Sequence, residues 1–521
     1  MSTAPPARPP AKPALQPLLL NGPWPSSALW VRSWPGAGRP PGLATLVSIG
    51  AAALVAALSL TLDRGGIGWL VTAVAGTAAL IVAKALAGRP SPGAPTPLVV
   101  RPPIRLGWDR FCWGAATVAL LAVGTFRSAG WLFVLCLLIA TLTGALALAG
   151  GRSMRAITAA YPMPLGAAFR AVPWLGQGLS RVRRPGGKSS AARVAATVAV
   201  SVALLTVFGA LLASADTAFA DALAAITPTV DGGTVFRWIF VFAVTTMALG
   251  GAAYLRAAPP DLSGLDRTEG RKVNRLEWAV PLGLLVLLFA GFVAVQLTVL
   301  FGGNQHVLNT AGLTYADYAR GGFWQLSFVT GLTLVVLAGA ARWAPREKTA
   351  DRVLLRSVLG ALAALTLVIV ASALLRIYVY TDIYGLTRLR LLVACCEGWF
   401  GLVLIMVLVA GVWIRSPWLP KAAIGAGVLA LLGLAVANPD GMIAANNIRQ
   451  TRTIDLRYLS SLSPDAAPAL ARLGDATARA CVLGRIGNDM RPDDWRGWNL
   501  ARVLARQVIA TQPTPPGEYC P

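Results

Sequence analysis

Residues 278–301 read WAVPLGLLVLLFAGFVAVQLTVLF, without one charged side chain. Wound as a helix at 1.5 Å per residue, such a run crosses the roughly 30 Å hydrocarbon core of a bilayer. A membrane β-strand would alternate apolar and polar residues instead. This run is continuous, so it predicts a helix, which satisfies its own backbone groups in lipid. Comparable runs lie near 43–62, 67–87, 112–126, 130–149, 194–213, 238–255, 323–341, 353–375, 392–413 and 419–437. They predict an all-α polytopic transmembrane bundle of about eleven spans, followed by a small α-helical C-terminal module. Composition agrees. Charged residues make up 13 % of the chain, against about a quarter in soluble domains.

The formal net charge of +24 would suit a nucleic-acid binder, but its distribution argues for a membrane topology instead. Segments 1–42, 88–111, 151–193, 256–277, 342–356 and 414–421 hold 28 Lys and Arg against 7 acids. The alternate segments, with the C-terminal tail, hold 17 against 14. Basic excess on one set of loops marks the cytoplasmic side. The expected placement is therefore a bacterial cell inner membrane, with the N-terminus cytoplasmic and the C-terminus extracytoplasmic. The lipid bilayer is the obligatory partner, with anionic lipid expected at the basic cytoplasmic loops. Nucleic acid is not expected. An unknown protein or ligand is expected at the outer face.

The chain divides into a disordered Pro-rich arm (1–42), four spans (43–149), a basic loop (150–193), seven spans (194–437) and a helical tail (438–521). The arm has 11 prolines and no acid, and no signal peptide is visible ahead of the first apolar run. Within the basic loop, LGAAFRAVPWLGQGLSRVRR mixes apolar and basic residues at helical spacing and suits the headgroup plane. Pro173 is expected to divide it into short pieces. In the tail, Ser463 and Pro464 are expected to open one helix as N-cap and first residue. Pro492, Asp493 and Asp494 are expected to open another. The last span is expected to stop at Asn438-Pro439-Asp440, since proline cannot continue it.

Chemistry-bearing residues are few. His306 is the one histidine, so no cofactor or metal centre built on histidines is expected. No GxSxG or GxxxxGKS motif occurs, and no catalytic residue is assigned. Cys112, Cys136, Cys395 and Cys396 lie in spans. An outward tail permits a disulfide between Cys481 and Cys520, and the sequence leaves bonded and free thiols equally open.

Two polar clusters border the spans. One is Tyr315, Asp317, Tyr318 and Arg320. The other is the stretch TDIYGLTRLR (381–390) with its flank, giving Arg376, Asp382, Tyr384, Thr387, Arg388 and Arg390. With a helix starting near Tyr384, Arg388 and Arg390 point about 200° apart. Both therefore cannot meet lipid phosphate, and one turns toward protein. Asp317, Asp382 and the tail aspartates are its candidate partners. Three readings stay open for the stretch: a clamp between tail and spans, an external anion site, or catalysis. Glu397 lies inside a span, where acids face a bundle interior or a cavity.

The segments TYADYARGGFWQL, YGLTRLRL, NPDGMIAANNIRQ with DLRYLSSLSPDAAPAL, and DDWRGWNLARVLAR resemble the bacterial multi-spanning family catalogued as domain of unknown function 4173. The resemblance covers roughly residues 200–510 and implies an integral membrane protein without implying an activity. Gly321 and the neutral stretch 444–447 stand where that family leads one to expect basic residues. The leading function is a non-catalytic envelope or signalling protein that presents a polar outer face. A transporter using Glu397 and the outer arginines is the second. A membrane-embedded transferase acting on a lipid-linked substrate is the third.

Overall fold

The computed structural model describes residues 34, 36–87, 107–182, scattered positions between 197 and 219, 232–260, 262, 265, 274–301, 323–344, 348–412, 418–449 and 454–512. Among them there are helices and turns but no strand. The helices are α1 (Leu43–Ser59), α2 (Ile67–Ala87), α3 (Trp108–Phe126), α4 (Gly130–Ala149), α5 (Met154–Ala160) and α6 (Met163–Val182). There follow α7 (Gly232–Ala257), α8 (Arg275–Phe301), α9 (Phe323–Trp343), α10 (Thr349–Tyr384), α11 (Arg388–Val412) and α12 (Leu419–Ala437). The module comprises α13 (Pro439–Arg449), α14 (Leu456–Ser460), α15 (Ala467–Leu470), α16 (Ala476–Asp489) and α17 (Leu500–Ala510).

Eight described helices, α2, α4 and α7 to α12, are long and apolar enough to cross a membrane. Helix α1 is apolar but shorter. Helix α3 carries Asp109 and Arg110 in its first turn, which dilutes its apolar character. The expected span at 194–213 is described only in part and is helical at every described position. Each of the expected spans is helical wherever it is described, except that the first, expected over 43–62, stops at Ser59.

Packing sorts the spans into two groups. Hairpins α1–α2 and α3–α4 pack with α7. In the other group α8, α9 and α11 pack on α10, around Leu362, Ala363, Ile369, Val370 and Leu404. Helix α12 bridges them, touching α3 and α4 on one side and α11 on the other. Helix α10 has 36 residues, about 54 Å at the helical rise and well beyond the hydrocarbon core. Its surplus length carries residues 376–384 toward the module.

At the opposite end α6 lies along α7. The approach is close: a Cβ on Gly251 would sit 2.7 Å from the Ala168 nitrogen. Contrary to the expected short pieces, α6 runs unbroken through Pro173. Pro173 is exposed, so the ring and the backbone bond it forfeits lie on the outside of the helix. The end of the leader is ordered on this packing. Trp34 is buried, donates to the Ala258 carbonyl at 2.7 Å and lies under the Arg170 guanidinium at 4.5 Å. Residues 1–33 lie outside the described residues.

The α1–α2 hairpin depends on glycine. A Cβ on Gly68 would sit 1.8 Å from the Ser59 carbonyl oxygen, whereas one on Gly283 would meet nothing within 4 Å. Gly68→Ala is expected to cost about 1–3 kcal/mol by overpacking. It should lower the apparent Tm of the purified protein in detergent. Gly283→Ala should leave it unchanged or raise it, because alanine favours the helix.

Candidate functional site

The stretch 381–390 forms the joint between α10 and α11. Helix α10 continues through Tyr384 and stops at Gly385, whose φ of 76° places it in the left-handed region open to glycine. Tyr384 therefore closes one helix instead of opening the next, contrary to the helix start expected near it. Helix α11 starts at Arg388. Thr387 Oγ1 accepts from the Arg390 nitrogen at 3.4 Å.

Both arginines turn toward protein. Arg388 donates from Nε to Asp440 Oδ1 at 3.0 Å and from Nη2 to Asp440 Oδ2 at 2.6 Å, a two-pronged pair. Nη2 also donates to the Ser461 carbonyl at 3.2 Å. Arg390 donates to the carbonyls of Tyr384 and Gly385, and its guanidinium covers the Tyr380 ring at 4.3 Å. Arg376 donates to Gln296 of α8 at 2.9 Å. Asp382, the expected neighbouring partner, is exposed. The cluster Tyr315, Asp317, Tyr318 and Arg320 lies outside the described residues, as does His306.

Asp440 is the centre of this joint. It is fully buried. Beyond Arg388 it accepts from the Ser463 nitrogen at 2.8 Å and from Trp131 Nε1 at 3.2 Å. The preceding Asn438 takes a left-handed φ of 56°, which ends α12, and Pro439 opens α13. The expected stop at residues 438–440 thus forms, and it also delivers the carboxylate. Burial alone would push the Asp440 carboxyl up. The hydrogen bond and charge of Arg388, with Ser463, outweigh burial and hold it below the usual carboxylate range. Nearby, Asn447 brackets Leu386, accepting from its nitrogen at 2.7 Å and donating to its carbonyl at 3.0 Å. The Tyr458 hydroxyl accepts from the Arg388 nitrogen at 2.8 Å.

Two further contacts fasten the module to span ends. Asp465 Oδ2 accepts from the backbone nitrogens of Ser128 and Ala129, both at 2.8 Å, at the start of α4. Burial pushes this carboxyl up, and its neutral donors and Arg127, 3.7 Å away, do not offset that. Asn499 donates to the carbonyls of Gly124 and Arg127 at 2.8 and 2.9 Å, at the end of α3. Beside it Asp493 binds three guanidiniums, Arg502 at 3.0 Å, Arg506 at 2.7 Å and Arg64 at 3.2 Å.

The module's own helices follow expectation in part. Ser463 and Pro464 stand as N-cap and first residue, but of a 3₁₀ turn, Pro464–Ala466, that runs into α15, and the Ser463 hydroxyl donates to Asp465 at 3.1 Å instead of capping. Asp494 caps a second such turn, Trp495–Gly497, and α17 starts later, capped by Asn499. Cys481 is disulfide-bonded. Cys520 lies outside the described residues, and the other four cysteines are free.

Glu397 is fully buried on α11. Ser327 of α9 is its polar neighbour. Both Glu397 carboxyl oxygens and Ser327 Oγ lack a well-formed hydrogen bond among the described residues. No group of three or more His, Cys, Asp or Glu among the described residues is placed to hold a metal.

The sequence singled out Arg388 but named neither Asp440 nor Asp465, Asn447, Asn499 or Asp493 as a site residue. Asp440 and Asp465 entered only among the tail aspartates offered as candidate partners, Asp440 also as part of the span stop. Chain spacing carries no sign of a partner 52 or 337 residues away.

A family model, Domain of unknown function (DUF4153), matches residues 115–473, more than half of the chain. The chain belongs to this family. The motifs resemble family 4173, so the number is corrected, while both are domains of unknown function. The DUF4153 match also starts well ahead of residue 200, already within α3, and stops before α16. Arg388, Asp440 and Asp465 fall inside the DUF4153 segment, and Asp493, Asn499 and Arg502 fall beyond it. No curated protein and no solved structure matches the chain.

Asp440→Asn is expected to lower stability by about 3 kcal/mol, because it leaves a half-buried guanidinium without its counter-ion. The pH dependence has a definite sign. A carboxyl held low when folded stabilises above its unfolded pKa, and that contribution disappears as pH falls through the folded value. Thermal midpoints in detergent should fall on acidification below the usual carboxylate range, and Asp440→Asn should remove that part of the slope. Glu397→Gln should leave the midpoint unchanged or raise it, since a buried carboxyl with a serine and no cation beside it gains little from its charge. Glu397→Lys should abolish folding.

Proposed function

We propose that this chain is a non-catalytic multi-pass protein of a bacterial cell inner membrane, with cytoplasmic N-terminus and extracytoplasmic C-terminus, whose module presents a fixed surface to a protein partner. One observation carries this reading. Asp440, Asp465, Asp493, Arg388 and Arg502 are all used in fastening the module, while large apolar side chains stay outside. Trp495 is 59 %, Trp498 39 %, Leu500 37 % and Leu504 43 % exposed. Apolar groups gathered on an otherwise polar module mark an interaction surface.

Topology supports the placement. Loops 60–66, 127–129 and 385–387 and the end of α12 all meet the module, as alternate connections of an eleven-span chain require. These connections are the less basic set, which belongs outside. The disulfide at Cys481 suits an oxidising compartment.

A second reading rests on Glu397. An intramembrane acid whose polar neighbour is a serine, with no well-formed hydrogen bond among the described residues, is a residue a coupled transporter would use. Its complete burial weighs against a water path at this position. The transferase reading finds less support, because the module's buried carboxylates are already engaged by guanidiniums or backbone amides.

The test uses single cysteines and photo-reactive residues at positions 504 and 505 of the full chain in intact cells. An impermeant thiol reagent should label Leu504→Cys from outside and spare the buried Ala505→Cys. A photo-reactive residue at 504 should give one discrete protein adduct that the same residue at 505 does not. Labelling only after the inner membrane is opened would overturn the orientation. Adducts with lipid alone would reassign the surface as a membrane anchor.

A further inference from the structure

We infer that a groove between α3 and α12, at the end of the bundle away from the module, binds one anionic glycerophospholipid, with the phosphate at Arg152 and Lys421 and an acyl chain along both helices. The groove encloses about 780 Å³, within the usual range for a small-molecule site. Its inner wall is apolar: Trp113 and Ala116 of α3 face Gly425, Val428 and Leu429 of α12. From Trp418 to Leu429 the wall extends about 16 Å at the helical rise, enough to seat much of an acyl chain.

The mouth is polar and carries more positive than negative charge. Lys421 Nζ meets Asp109 Oδ2 at 2.5 Å, and an ammonium with one partner keeps two donors. Arg152 is exposed and close enough to act on Asp109. Two cations thus share one carboxylate, and a phosphate diester supplies the missing negative charge. Trp418, half-exposed beside Lys421, has the amphipathic ring that sits at headgroup level. Few residues of α12 are buried inside the protein, so this helix has a side available to the bilayer. A charged head and an apolar tail in this order are what a phospholipid offers. The expected placement of the basic loop containing Arg152 puts the mouth at the cytoplasmic leaflet, where anionic lipid concentrates. The inference does not depend on the surface proposed for the module.

The experiment uses the full chain, purified and delipidated in detergent, then offered phosphatidylglycerol or phosphatidylcholine and weighed by native mass spectrometry. One phosphatidylglycerol should be retained in preference to phosphatidylcholine. Arg152→Gln should weaken that retention about tenfold, as loss of one charge-assisted contact does. A Cβ on Gly425 meets nothing within 4 Å, so Gly425→Leu should fill the groove and abolish retention while the thermal midpoint holds. Should Gly425→Leu fail to fold, Arg152→Gln decides alone. Equal retention of both lipids, or retention unchanged in the variants, overturns the proposal. Displacement by millimolar inorganic phosphate would show a soluble-anion site and overturn it too. A change of oligomer mass in Gly425→Leu, with lipid unchanged, would assign the groove to contact between copies.

Discussion

A helix that ends at the edge of a bilayer leaves backbone groups without intrahelical partners. Where the module meets this bundle, several of those groups are met by protein. Arg127 turns onto the last carbonyls of α12, Ala435 at 2.6 Å and Val436 at 2.9 Å. Asp465 accepts at the start of α4, and Asn499 donates at the end of α3. The Trp498 carbonyl accepts from Ile67 at the start of α2, at 2.9 Å. Of these, Asp465 and Arg127 also carry the favourable charge, an acid at a positive helix start and a cation at a negative helix end. The module is therefore part of how the spans terminate. Removing it would reopen several helix ends together.

The two buried aspartates of the joint show how different the same side chain becomes in two settings. Asp440 faces a guanidinium in a two-pronged geometry, with a backbone N–H and an indole N–H besides. The ionised form is favoured, and folding and ionisation reinforce each other. Asp465 is surrounded by neutral donors, and its nearest cation is already bonded to carbonyls of α12. There burial prevails. Acidification thus acts on the two in opposite directions, weakening the Arg388 clamp while easing the cost of keeping Asp465 inside.

The length of an apolar run is a local property, so the spans were legible residue by residue. The stop at Asn438-Pro439 was legible for the same reason, because backbone geometry at proline is fixed by the chain itself. The arginines of the stretch 381–390 stood out by their cost in an apolar neighbourhood. Their partner was narrowed only to Asp317, Asp382 and the tail aspartates, since Asp440 gains its role only when distant loops meet. Helix starts in the module misled for a related reason. Asp493 looks like a first-turn acid, but it serves three arginines, and Asn499 caps α17 while also reaching α3. A residue with a tertiary partner is not free to follow its local preference.

Glu397 gains its meaning from the same accounting of partners. Arg388 lies nine residues away on the same helix, about 14 Å along the axis, and is committed to Asp440. Arg390 is nearer but bends back to carbonyls at the end of α10. The bundle thus places its strong cations at the boundary and leaves the intramembrane acid with a serine. Had Glu397 been a structural anchor, a donor as good as those given to Asp440 would be expected beside it. The contrast separates the polar residues that build the joint from Glu397, the one buried acid among the described residues without a cation or a backbone amide beside it.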